Sequence, residues 1–360
     1  MSSKTIKVMI VEDSPVVQEL LRHMISEDPR LEVAAVVDNA EEALRKLNQV
    51  QPDVISLDIR LPGMNGLDAT LQIMSSRPTP IVVVSASVEK EDLNITMNAL
   101  RAGALAVVEK PVGVGDDDYQ TMARQLCDQL AGMSQVKVVR QTVRRNLDFG
   151  SKTKSAPEAA FTTPGVMAPS APPKVLGIVA STGGPNAISQ VLCGLGGAFP
   201  LPILAVQHIT DGFTEGFVNW LNDVTPFKVV IAKNGETPVP GKVYLPPEDR
   251  HLEIREGLLK ISAGGMVDAH RPSGTTLFSS MARDQGAKAL GVLLTGMGTD
   301  GAAGLLEIKK AGGHTIAESE STAVIYGMPA EAEALSAVRE TLPLEAIAPG
   351  VMNAVSAKRK

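Results

Sequence analysis

Residues 175–187 read VLGIVASTGGPNA, an apolar β-type run that breaks at small residues and a glycine pair where a helix would begin, which places Ser181 in the turn. A hydroxyl there lies near N–H groups without an intrahelical partner and near the positive end of the helix dipole, so it can attack a carbonyl whose oxygen is stabilised locally. Serine alone is a poor nucleophile. A base must take its proton, and a third group should hold that base in the useful tautomer. Two later segments offer these partners: PILAVQHI puts His208 just after an apolar run, and ALGVLLTGMGTDGAAG puts Asp300 in a glycine-rich turn after another. The chain order Ser, His, Asp differs from that of α/β-hydrolases, and Val179 stands where G-x-S-x-G has its first glycine. Taken singly, Ser181 and Thr182 also suit a helix cap, His208 a buried strand-end histidine, and Asp300 an N-cap. The glycines around Asp300 could cradle a phosphate, although G-x-G-x-x-G is absent.

A second constellation lies earlier. Glu12 and Asp13 follow one apolar run, Asp58 ends DVISLD, Ser85 ends the IVVVS run, and Lys110 precedes Pro111 after AVVE. Three carboxylates at one edge repel one another unless a cation sits among them, and Mg²⁺ suits such a site because it takes a few carboxylates while keeping waters and phosphate oxygens. With that charge neutralised, Asp58 could attack a phosphoryl donor to form an acyl phosphate, and Ser85 could hydrogen-bond the product. Each residue alone also suits a cap or turn.

Both constellations require parallel sheets. Residues 5–130 alternate TIKVMIVE, LEVAAVV, DVISLDI, IVVVSA and AVVEKP with helical stretches, which predicts five strands in a doubly wound sheet. After Val175 the alternation resumes with VLGIVA, PILAVQH, KVVIA, KVYLP, HLEI, LLKISA, ALGVLLTG and HTIAES; KVYLPPEDRHLEIREGLLKIS reads as a hairpin insertion. Between them, residues 132–173 are rich in Ser, Thr, Pro, Ala and Gly without periodicity, a linker composition. The expected division is thus 1–131, linker 132–173, 174–352, and a polar tail 353–360.

Composition excludes several classes. The 360 residues are 44% hydrophobic and only 3% aromatic, leaving little stacking surface for single-stranded nucleic acid. Residues 1–131 carry 12 basic and 20 acidic side chains, residues 132–173 carry 6 and 2, and residues 174–360 carry 16 and 18. An acidic first domain disfavours DNA binding, and no helix-turn-helix with a basic face is visible in the second. Cys127 and Cys193 lie apart without C-x-x-C spacing, so a reducing cytoplasm fits. No targeting segment and no membrane span is read. His23 reads as helix surface; His251 and His314 lack metal-ligand spacing, and Trp220 reads as core or groove.

Residues 5–130 resemble a response-regulator receiver domain through the acidic pair, Asp58, Ser85-Ala and Lys110-Pro. The resemblance implies a flavodoxin-like fold, Mg²⁺ at Glu12, Asp13 and Asp58, phosphorylation of Asp58 by a histidine kinase, and switch roles for Ser85 and Lys110. Glu12 stands where many receivers have Asp, and Val107 where they often have an aromatic residue. Residues 174–352 resemble the catalytic domain of chemotaxis-type protein-glutamate methylesterases through GIVASTGGP, VQHI, GFTEGF, LPPEDRHLEI, HRPSGTTLF, LLTGMGTDGAAG and YGMPAEA. That implies a Rossmann-like domain in which Ser181 is the nucleophile, His208 the base and Asp300 its orienter. The Met297 N–H is then a candidate oxyanion donor, with Thr182 and His270 beside the site and no cofactor for the ester chemistry. Ile209, Thr210 and Thr299 depart from the usual residues. The expected activity is hydrolysis of glutamyl methyl esters on chemoreceptors, with glutamine deamidation, in an open cleft that the unphosphorylated receiver covers; the composition of the basic linker suits either contact with the acidic receiver or a flexible tether.

Overall fold

A computed structural model describes residues 5–85, 96–100, 102–111, 116–136, 138, 171–210 and 212–356. The first unit has strands β1 (Ile6–Val11), β2 (Leu31–Val37), β3 (Val54–Asp58), β4 (Ile81–Ser85) and β5 (Ala106–Glu109). They pair in parallel in the order β2-β1-β3-β4-β5. β3 and β4 are buried throughout, as continuous apolar runs covered on both faces must be. Helices Pro15–Glu27, Ala40–Val50, Gly66–Ser76 and Asp116–Met133 supply that cover. The Pro15–Glu27 helix turns Val17, Leu21, Met24 and Ile25 inward at helical spacing, and Asn39 caps the next by accepting the Glu42 N–H.

The second unit is a seven-stranded sheet of order β14-β13-β12-β6-β7-β9-β8, with parallel pairs throughout. Its strands are β6 (Val175–Ala180), β7 (Ile203–Gln207), β8 (Lys228–Ile231), β9 (Lys242–Leu245), β12 (Ala289–Leu293), β13 (His314–Glu318) and β14 (Glu340–Leu342). β10 (His251–Arg255) and β11 (Leu258–Ser262) form a separate antiparallel hairpin. The expected insertion is therefore smaller than its sequence suggested: KVYL enters the main sheet as β9, between β7 and β8, because its alternate residues Val243 and Leu245 join the core. β14 was not expected, since three residues carry too little pattern to read.

From β6 the chain builds outward to β7 and returns to β12 on the opposite side, so the strand order reverses between β6 and β12. At such a point the loops leaving the strand ends diverge and open a crevice. The helix Asp116–Met133 runs two residues into the expected linker, most of which lies outside the described residues; the helix Leu344–Ser356 likewise enters the expected tail. Among the described residues no helix is long and apolar enough to cross a membrane.

Candidate active site

The crevice holds the loops after β6, β7 and β12. Ala180 and Gln207 are register partners, so Ser181 and His208 leave adjoining strands side by side, with the His208 N–H bonded to the Ala180 carbonyl at 3.1 Å. Ser181 donates its N–H to the Thr295 carbonyl at 3.0 Å, tying the same turn to the end of β12. Gly183 caps the helix Gly184–Leu195 at φ +79°, a left-handed conformation that favours glycine. The sequence suggested that free N–H groups at this helix start would face a developing oxyanion. Two of them are unavailable: the Gly184 N–H bonds the Ser181 carbonyl at 2.8 Å, and Pro185 has none.

Asp300 is fully buried and is gripped from one helix end. Oδ1 accepts the Ser273 hydroxyl at 2.7 Å and the Thr275 N–H at 2.9 Å, and Oδ2 accepts the Gly274 N–H at 2.6 Å, all at the start of the helix Gly274–Gln285. Oδ2 also lies 2.7 Å from His208 Nε2. Burial works against the charge on Asp300. The His208 contact outweighs it, with Ser273 and Thr275 adding to the effect, and the carboxyl stays well below the usual range. Burial of His208 disfavours the imidazolium; Asp300 opposes that and His270 adds to it, so the ring titrates below its ordinary value.

Because a buried carboxylate only accepts, His208 Nε2 carries the proton between them and Nδ1 carries the lone pair. That Nδ1 is buried and has no hydrogen-bond partner. The two nitrogens thus exchange the roles they have in the chymotrypsin arrangement. His270 stacks on the ring at 3.8 Å between centroids and 19° between planes, while its Nδ1 donates to the Asp268 carbonyl at 2.6 Å. The structure thus brings His208, Asp300 and His270 together and sets Ser181 on the adjoining strand end. It forms no hydrogen bond between the Ser181 hydroxyl and the ring. Thr182 is buried in the same turn, its carbonyl accepting the Thr295 hydroxyl at 2.9 Å. Met297 projects its side chain, 47% exposed, at the rim. Ile209 lines an adjoining groove with Leu245, Pro247, Glu248 and Pro272.

Several supporting groups escaped the sequence reading. Gln207, buried at the end of β7, donates from one amide to the carbonyls of both Ser181, at 2.8 Å, and His208, at 2.7 Å. A polar residue closing an apolar strand was the available signal, since a buried amide needs partners. Ser273 grips Asp300 and also accepts the Thr276 N–H at 3.2 Å. Buried His251 fixes that loop, accepting the Ser273 N–H on Nδ1 at 3.2 Å with Nε2 on the Gly265 carbonyl at 2.9 Å.

At the edge of the first sheet, carboxylate oxygens of Glu12, Asp13 and Asp58 converge within 4.8 Å, a hard-oxygen donor set that could hold a metal ion. Lys110 Nζ reaches Asp58 at 2.7 Å and Glu12 at 2.9 Å. Burial raises the pKa of Glu12, with Asp58 adding to it, and burial likewise raises that of Asp58 against the pull of Lys110. Three carboxylates around one lysine ammonium leave excess negative charge, which fits a site that accepts a further cation. Ser85 ends β4, with the Thr96 hydroxyl 3.5 Å from its own.

A reversal crevice holding a hydroxyl, an imidazole and a clamped carboxylate, preceded by a sheet with an aspartate at its edge, is the layout of a hydrolytic domain of parallel α/β architecture fused to a receiver domain. The CheB methylesterase model matches residues 176–351, and the response regulator receiver domain model residues 8–118. A protein-glutamate methylesterase/protein-glutamine glutaminase of Paramagnetospirillum magneticum is 59% identical over 96% of this chain and 96% of its own length. One of Myxococcus xanthus is 41% identical over 97% and 96%. The Thermotoga maritima CheB methylesterase catalytic domain aligns with 50% of this chain and 98% of its own, at 32% identity and a TM-score of 0.49. The chain belongs to the protein-glutamate methylesterase/protein-glutamine glutaminase family.

Proposed function

We propose that the chain hydrolyses methyl esters of glutamates on chemoreceptors, releasing methanol, and deamidates receptor glutamines, under control of its own phosphorylation. The observation that carries the chemistry is the 2.7 Å contact between His208 and a carboxylate already held by three other donors. It leaves one imidazole nitrogen as a base next to the strand end that bears Ser181.

Ser181 Oγ attacks the ester carbonyl as His208 Nδ1 takes its proton, and the Met297 N–H faces the developing oxyanion. Collapse expels methoxide, which leaves as methanol with the proton from His208. Water then attacks the glutamyl-serine ester, giving its proton to His208, and the receptor glutamate departs as Ser181 is restored. An amide substrate follows the same path and releases ammonia. Thr182 and His270 shape the cleft, and Asp300 holds the ring.

In the receiver, Asp58 takes the phosphoryl group from a histidine kinase, and Glu12, Asp13 and Asp58 would hold Mg²⁺. When bound, the ion neutralises charge on the phosphoryl oxygens. Lys110 contacts both Asp58 and Glu12, and Ser85 is the hydrogen-bond partner for the phosphoryl group. The domain division is receiver 1–131, linker 132–173, catalytic unit 174–352 and tail 353–360, in a cytoplasmic protein. Regulation works by the receiver covering the cleft. Val324 and Ile325 pack against the apolar cluster of the receiver that contains Met133, and Met297 Sδ lies 3.8 Å from where a Cβ on Gly132 would stand. Methanol released from methylated receptor membranes, with and without acetyl phosphate, tests the reading: wild type is stimulated, Ser181→Ala is inactive, and a fully active Ser181→Ala overturns it.

A further inference from the structure

Glu318 closes β13, one strand beyond β12, and is fully buried. Its Oε2 accepts the Thr295 N–H at 2.9 Å. Thr295 is the residue on which the surrounding loops meet. Its carbonyl accepts the Ser181 N–H at 3.0 Å, its hydroxyl donates to the Thr182 carbonyl at 2.9 Å, and the same hydroxyl accepts the Ile325 N–H at 2.9 Å. Two residues further on is Met297. Gly296 between them leaves no slack, because a Cβ there would stand 2.8 Å from Ser181 Cβ and 3.2 Å from Ser181 N.

The other oxygen, Oε1, is buried without a hydrogen-bond partner. Among the described residues no cation pairs with Glu318. The neighbouring groups that act on it are the Thr322 hydroxyl and the like charge of Glu345 on the helix Leu344–Ser356. A carboxylate this deeply buried, with no counter-ion and only the Thr295 N–H and the Thr322 hydroxyl to hold its charge, is costly, and burial outweighs both donors.

We propose that Glu318 is a positioning residue for the hydrolysis: as an uncharged carboxylic acid it anchors Thr295, and through Thr295 the Ser181 turn and the Met297 loop. Burial, which raises the pKa of the group above the ordinary carboxylate value, acts in the same direction. The inference rests on the ester-hydrolysis reading above.

The test compares Glu318→Gln and Glu318→Ala in the full chain with acetyl phosphate, reading methanol release. The amide offers Thr295 the same acceptor, so Glu318→Gln keeps kcat within about twofold. The alanine leaves the Thr295 N–H buried without one, and kcat falls roughly 10- to 100-fold with KM nearly unchanged. Wild-type kcat in Glu318→Ala, or a loss in Glu318→Gln equal to that in Glu318→Ala, overturns the proposal.

Thermal melting gives a second readout that holds even where the alanine variant does not fold. An acid whose folded pKa is raised contributes stability that is complete below its unfolded pKa and is lost as pH rises toward the folded value. The Tm of Glu318→Gln therefore gains on wild type as pH rises from the ordinary carboxylate value of 4.5 toward the raised folded one; a constant or narrowing gap over that rise overturns the uncharged state. Ser181→Ala run in parallel separates the failures: its activity sinks the ester reading, whereas its inactivity beside an unimpaired Glu318→Ala sinks this inference alone.

Discussion

Asp300 does two jobs with two oxygens: it orients His208, and it terminates the helix that begins at Gly274. Asp300→Asn places an amide against donors, so both jobs suffer. The expected loss in kcat is roughly 10³- to 10⁴-fold, accompanied by a destabilisation of about 1–3 kcal/mol in denaturant unfolding. Loss of activity with unchanged stability would show that the helix contacts are expendable. The imidazole makes a separate prediction. Burial, reinforced by stacked His270, keeps His208 neutral below the ordinary imidazole value of 6.5 even though Asp300 pulls the other way. A base must be neutral to act, so the acid limb of kcat/KM lies below 6.5 in a pH–rate profile. A limb at or above that value would contradict the assignment.

The elements were legible where pattern is dense. β1 to β5 and β6, β7, β12 and β13 are long apolar runs ending in polar or small residues, and the reactive groups stand at those ends. That Ser181, His208 and Asp300 share one edge followed from parallel strands alone. Their support was less visible: Gln207 and Thr295 act through backbone carbonyls 26 and 113 positions away and Ser273 through a carboxylate 27 positions away, and no local spacing encodes such pairs. β9 was drawn into the insertion because KVYL next to a hairpin looks the same whether it pairs with the hairpin or the sheet. Close approach of loops is likewise invisible until they meet. At Gly296 an added Cβ would strike Met328 Sδ, whose flexible chain can yield, and also Ser181 Cβ, which cannot. Gly296→Ala should therefore move the Ser181 turn, lowering kcat at least roughly tenfold while Tm falls by only a few degrees, about 1–3 kcal/mol of overpacking. Assay and melting curve of the one variant check both.

Across the molecule, two sheets present their carboxyl edges for different chemistry, and the chain joins them through the segment around Met133 and the pair Val324 and Ile325. Asp58→Asn removes the proposed phosphoryl acceptor while leaving the second sheet untouched, so acetyl phosphate should no longer raise methanol release and basal turnover should persist; retained stimulation would place control elsewhere. The β10–β11 hairpin adds a further dependence. It pairs with neither sheet, yet the Ile254 N–H rests on the Ser280 hydroxyl at 3.0 Å, the Gly257 N–H on Asp284 at 3.2 Å, and His251 receives the Ser273 N–H. Those bonds buttress the helix whose first turn grips Asp300. A shortened protein lacking 251–262 would keep both sheets and bury a smaller core, but the scaffolding behind its imidazole would be slack, and ester turnover should drop while circular dichroism of the remaining fold stays near normal. An outgrowth whose bonds reach only the supporting helix and its cap would thereby govern the tempo of the reaction.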